Sequence, residues 1–265
     1  NVAGAVKEFQ RAQELGYARD EVARELAPAL LKAGELDKLL TEYADPRIDD
    51  PAVRAVVLVA LGDAHLMKRD VDKAHSAYER AFAANPDEHG ARLGLARTTL
   101  IKGDATKAEE LVVDTVKRAP ELAEARSMLA ELLIARGAVE QGIAEMRAAV
   151  RLVPKAIEYH FALVSQLLRQ GARDEADKAL QAMKAVAAAH PSTRYLQALV
   201  DFRENRLTEA RDGLMLVLKD APQFLQADLL AGTVLVRLNE HALARNHLER
   251  VLQRAPGSTM ARQAL

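Results

Sequence analysis

Apolar and polar positions along the chain alternate with helical spacing, in short runs broken by turns. The clearest stretch places Leu58, Leu61, His65 and Leu66 on one stripe, and Ala74, Ala77, Tyr78 and Ala81 on another. Apolar residues three and four apart share one face of a helix. The stretch therefore predicts helix, tight turn, helix, with a buried stripe on each.

That unit recurs. Ala74, Ala108, Gly142, Ala176, Ala210 and Ala244 stand 34 residues apart. Pro86, Pro120, Pro154, Pro222 and Pro256 keep the same beat, with Ala188 at the empty place and Pro191 just after it. Gly103, Gly137, Gly171, Asn205 and Asn239 form a third series in step. Each series has a physical reason. A small residue lets paired helices approach. Gly or Asn ends a helix in a left-handed turn. Pro cannot continue a helix and disfavours helix at the residue before it.

Leu58, Leu61-Gly62, Ala74, Tyr78, Ala81 and Pro86 resemble the tetratricopeptide pattern at its own offsets. The resemblance implies an all-α fold, a right-handed superhelical α-solenoid of helix-turn-helix repeats. It covers 1–265 as a single array. Residues 1–16 read as a partial repeat, full repeats begin near 20, 55, 89, 123, 157, 191 and 225, and 257–265 start a further one.

Two places break the beat. Pro28 falls inside the first full repeat and should kink or delay its helix, while Leu39 fills a small-residue slot. Asp45-Pro46 should cut the second helix short and leave a loop at about 45–50, with Asp50-Pro51 as N-cap and first residue of the next helix. At Pro191 the preceding helix, from Asp174 to about His190, is expected to gain nearly a turn and overhang the next hairpin.

Composition fits this picture and narrows the chemistry. Apolar residues make up 49% and aromatics only 4%, with no Trp, which favours helix over sheet. Lys and Arg number 37 against 38 Asp and Glu, so no basic excess points to nucleic acid. Without Cys there is no disulfide or thiolate site. No apolar run is long enough to span a bilayer. The chain opens on Asn1 and reads as a fragment of a longer array.

No catalytic constellation is present. There is no phosphate-loop, HExxH or nucleophile-elbow motif, and Lys102-Gly103-Asp104 is better read as a repeat turn. His65 reads as half-buried core and His160 as inter-helix packing. His241 and His247, six residues apart, point to different helix faces. The expectation is a non-enzymatic scaffold with no cofactor and no metal.

In the tetratricopeptide pattern the first helices line a concave groove. By phase that groove holds Arg97, Glu131, Phe161, Arg169, Tyr195, Phe202, Arg203 and Arg237. Arg169, Arg203 and Arg237 share one slot, 34 residues apart, with aromatics interleaved. Arg and aromatics are common interface anchors. One reading is a groove for an extended anionic peptide, or an anionic glycan. The other is that the arginines are helix C-terminal charges favoured by the dipole, and the aromatics pack repeats together. The Lys and Asn clamp of this family's chaperone-tail receptors is not matched, since the slots hold Val59, Asp63, Gly94, Glu124 and Met128. Apolar Val2, Val6, Phe9, Met260 and Leu265 are expected to be partly exposed and to favour end-to-end self-association.

The C-terminal third has a more particular string. His190-Pro191, Tyr195-Leu196-Gln197-Ala198, Asn205, Ala210-Arg211, Ala221-Pro222, Leu229-Leu230-Ala231-Gly232 and His247-Leu248 resemble the repeat lipoproteins of bacterial exosortase (PEP-CTERM) systems. That resemblance implies an envelope scaffold for exopolysaccharide export and PEP-CTERM protein sorting. It would be periplasmic or outer-membrane associated through an anchor outside this fragment. The alternatives are a cytosolic (cytoplasmic) assembly adaptor, or the regulatory arm of a larger enzyme such as a glycosyltransferase.

Overall fold

The chain reverses wherever its backbone turns left-handed. Gly34, Gly103, Gly137 and Gly171 do so with φ between 73 and 95°, and Arg69, Asn205 and Asn239 with φ of 61 to 63°. Gly171 shows the use of such a turn: its N–H and that of Ala172 return to the carbonyls of Leu168 and Leu167 and close the helix end.

A computed structural model describes residues 2–265, except the side chains of residues 2 and 13. The expectation for the Val2 side chain therefore lies outside the described residues. The fold is all-α, built from helix-hairpin repeats. First come α1 (Val2–Glu14), α2 (Arg19–Ala33) and the short α3 (Leu36–Glu42). Hairpins follow: α4 (Pro51–Met67) with α5 (Val71–Ala84), α6 (His89–Ile101) with α7 (Ala105–Arg118), and α8 (Ala123–Ala135) leading to α9 (Val139–Leu152). Then α10 (Ile157–Gln170) pairs with α11 (Arg173–Ala187), α12 (Pro191–Arg203) with α13 (Leu207–Asp220), and α14 (Leu225–Arg237) with α15 (His241–Arg254); α16 (Thr259–Ala264) ends the series. Two compact units divide it, Asn1–Gly142 and Ile143–Leu265.

In the first unit the core runs through Leu26, Leu30, Leu39 and Leu58. Tyr78, fully buried, sets the tightest fit. A Cβ at Gly62 would lie 2.5 Å from its ring, and one at Gly94 only 2.3 Å away. Both helices facing this ring must therefore be bare there. In the second unit Leu196, Leu214, Leu235 and Leu248 are fully buried. The small-residue series is buried in both units, with Ala74, Ala108, Ala176 and Ala210 at 0% exposure.

The irregular places come out partly as the sequence predicts. Asp50 caps α4, accepting from the N–H of Ala52 (2.8 Å) and Val53 (3.3 Å), with Pro51 as first helical residue. The loop before it is pinned by Asp20, whose carboxylate accepts from the N–H of Asp49 and Asp50 at 3.1 Å each. Three expectations need correction. Of the two outcomes expected of Pro28, a kink or a delayed start, the delay does not occur, because α2 starts at Arg19 and continues through it. Ahead of Pro191, α11 has 15 residues against 14 in α13, a gain of one residue and not of nearly a turn. The reason is Pro191 itself, which forces His190 into extended backbone (φ −64°, ψ 137°) as the cap of α12. Val6 is buried at 2%, because α1 packs on α2, whereas Met260 and Leu265 are exposed at 65% and 53%.

Candidate functional site

The candidate groove residues fall into both units. Arg97 and Glu131 belong to the first, the other six to the second. In the first unit the candidate groove charges answer one another. Arg97 donates to Glu124 (2.8 Å) and lies 3.8 Å from Asp63, which in turn accepts the Tyr78 hydroxyl at 2.6 Å. Burial opposes the Arg97 charge, and Glu124 with Asp63 more than restores it, so its pKa is raised. Burial also raises the Asp63 carboxyl, against the pull of Tyr78 and Arg97. Glu131 is exposed on α8.

The second unit has a different surface. Phe161 on α10 and Tyr195 on α12 are half-buried, their ring centroids 6.2 Å apart. Phe224, just ahead of α14, continues the ladder at 5.0 Å from Tyr195. Burial raises the Tyr195 hydroxyl pKa, partly offset by Arg203 nearby. Beside Phe161 a notch of about 450 Å³ opens, lined also by Lys155, Ile157 and His190.

The three arginines end the first helices of this unit, and all are exposed. Arg169 donates to Gln166 Oε1 within α10, and Arg203 reaches back to the Leu168 carbonyl at the end of that helix. Arg237 donates to Asn205 Oδ1 at 2.6 Å and stacks on Phe202, 5.2 Å from its centroid. Every acceptor is a neutral oxygen. Among the described residues no carboxylate forms an ion pair with any of the three. The arginines thus do two things. Two of them tie successive hairpins together, and all three leave a cationic charge facing water.

Two contributors escape the sequence pattern, Phe224 and Asn205. Phe224 follows Tyr195 by 29 residues, off the 34-residue beat, because it sits in the linker and not on the helix. Asn205 reads from its series as a turn residue alone, and its side chain also holds Arg237.

No helix among the described residues is long and apolar enough to cross a membrane. Nor do they hold three or more His, Asp or Glu side chains grouped to bind a metal.

Comparison with known proteins agrees with this architecture. The tetratricopeptide repeat family model matches residues 59–114 and 102–157. No curated protein matches the chain. Among solved structures, the APC/C hetero-tetramer Cut9-Hcn1 superimposes with a TM-score of 0.77 at 17% identity, over 100% of this chain and 52% of that one. The chain thus spans about half the length of that relative. PilF of Pseudomonas aeruginosa gives 0.66 at 16% identity, covering 80% of this chain and 97% of its own. A thermophilic TPR protein of Thermus thermophilus gives 0.58 at 25% identity, covering 69% and 99%. Residues 59–157 thus carry the tetratricopeptide repeat, and the helix hairpins on either side of them continue the same all-α architecture.

Proposed function

We propose that the second unit binds an extended acidic segment of a protein partner across the ends of α10, α12 and α14. One observation carries the reading: Arg169, Arg203 and Arg237 share a slot, are exposed, and are held in place by neutral acceptors that leave their charge uncompensated. A guanidinium fixed by one hydrogen bond keeps other donors for a carboxylate, and its ordering cost is already met. The Phe161, Tyr195 and Phe224 ladder supplies apolar contact beside the charge.

The test uses a short acetylated peptide of Glu with Leu at every fourth position. Arg169→Glu, Arg203→Glu and Arg237→Glu together should abolish its binding while circular dichroism shows the helical fold kept, with a small fall in melting temperature from the two lost inter-hairpin hydrogen bonds. Binding that survives the triple change sinks the reading. An anionic glycan that outcompetes the peptide would move the assignment to glycan.

An assembly-adaptor role needs only the fold and a binding face, and it is the wider reading favoured here. The envelope role in exopolysaccharide export and PEP-CTERM sorting rests on the resemblance of the string from His190 to Leu248 alone. A lipoprotein signal in the full-length gene product, with the protein recovered in the envelope fraction, would reverse that preference.

A further inference from the structure

The α10–α11 turn and the end of α12 enclose a cleft of about 230 Å³ in the second unit. Two of its walls are apolar and buried, Leu168 at 5% exposure and Val200 at 8%. Two guanidiniums also line it. One is Arg203 of the groove row. The other is Arg173, the first residue of α11.

Arg173 departs from the repeat. The same slot, 34 residues apart, holds Val71, Ala105, Val139, Leu207 and His241. Its side chain is exposed and has no hydrogen-bond or ion-pair partner among the described residues. The helix dipole makes a cation unfavourable at the first position of a helix. Two carboxylates share the cleft. Glu204 is engaged by Arg206, and Asp177 has no partner among the described residues. Arg206 also holds Asp201, so the charges about the cleft balance; what stays unspent are hydrogen-bond donors, those of Arg173 and most of those of Arg203. Apolar walls with two guanidiniums suit a side chain that has a methylene stem and an anionic end.

We propose that this cleft is a socket for one glutamate side chain, with Arg173 and Arg203 gripping the carboxylate and Arg173 setting the choice of residue. The source of that glutamate, an acidic protein segment, rests on the groove reading above. Asp177 opposes the ligand and moderates its affinity.

The socket is tested with a single amino acid, N-acetylglutamate amide, titrated into the whole chain while the amide resonances of Gly171 and Val200 are followed. Saturable shifts are expected, with the glutamine counterpart about tenfold weaker, the order of effect of a charge-assisted hydrogen bond. Arg173→Gln should weaken the glutamate probe by about the same factor, and Asp177→Asn should tighten it. Lys102→Glu, in the first unit, lies outside the cleft and should leave it unchanged. Arg173 is exposed at a helix end, and a circular dichroism melt confirms that its variant folds. Flat titrations, equal response to glutamate and glutamine, or indifference to Arg173→Gln each overturn the socket. If the long acidic peptide still depends on the arginine row while the single amino acid gives nothing, the socket alone is wrong. If the amino acid saturates the cleft but the peptide ignores the row, the groove reading is wrong.

Discussion

Both units place basic residues at the ends of their first helices, and they use them in opposite ways. In the first unit these are Lys68, Lys102 and Arg136, which pair with Asp37, Asp72 (3.0 Å) and Glu109 (2.8 Å). Each acid lies on the second helix of the preceding hairpin. In the second unit the bases are Arg169, Arg203 and Arg237, one residue earlier in the repeat, and they find only neutral oxygens. One residue turns a helical side chain by about 100°. That step separates an internal ion pair from a free charge. The slot occupied by arginine in the second unit holds Met67, Ile101 and Ala135 in the first. In a repeat protein, then, a base is understood from its phase and its partner and not from its presence.

The comparison can be pressed hardest on packing. Gly94→Ala would push a methyl into the Tyr78 ring, which sits between two helices of the first unit, and should cost about 1–3 kcal/mol by overpacking. Gly213→Ala in the second unit meets only the Ala198 methyl at 3.5 Å and should gain up to about 1 kcal/mol from helix propensity. Thermal melts of the two variants should move in opposite directions. Equal losses would mean that the Tyr78 fit is not special.

Charge reversal comes next. Lys68→Glu, Lys102→Glu and Arg136→Glu together should lower stability, by about 0–1 kcal/mol for each exposed pair lost. They should leave affinity for the acidic peptide within about threefold, because the free arginines are untouched and distant charges are screened. A loss of binding comparable to that of the arginine-row variant would erase the distinction between the units.

A smaller effect is expected from Arg237→Gln alone. It removes one charge and keeps a donor for Asn205, so peptide affinity should drop about fivefold. Added salt should weaken the peptide complex of the wild type more than that of this variant.

The smallest effect concerns pH in the first unit. The Asp63 carboxyl is raised above 3.8, chiefly by burial. The fold therefore favours its protonated form. That contribution is present in full below the unfolded value and is lost as pH rises through the folded one. The melting temperature of the wild type minus that of Asp63→Asn should accordingly fall from about pH 3 to about pH 6. A difference that rises over that range would contradict the assignment.

The hairpins were legible in the sequence because the 34-residue beat carries a physical cause at each mark: Gly171 and Asn205 for the left-handed turn, Ala176 and Ala210 for close approach. The loop before Pro51 was legible for the same reason, since Asp50 has one evident use there. The length of α11 was not. The pattern shows where Pro191 stands, whereas the end of the preceding helix depends on how much chain His190 needs as an extended cap. The arginine row was visible from spacing alone; that two of its members also tie hairpins together was not, because their acceptors, the Leu168 carbonyl and the Asn205 side chain, lie in the neighbouring hairpin. Arg173 breaks its slot in the sequence, and only the cleft beside it draws attention to that break.

The most direct test of the difference between the units is an amide chemical-shift map of the acidic peptide on the wild-type chain. The arginine-row reading predicts saturable shifts grouped at Arg169, Arg203 and Arg237, with Lys68, Lys102 and Arg136 unmoved. Shifts centred on the first unit, or spread evenly over both sets of bases, would contradict it.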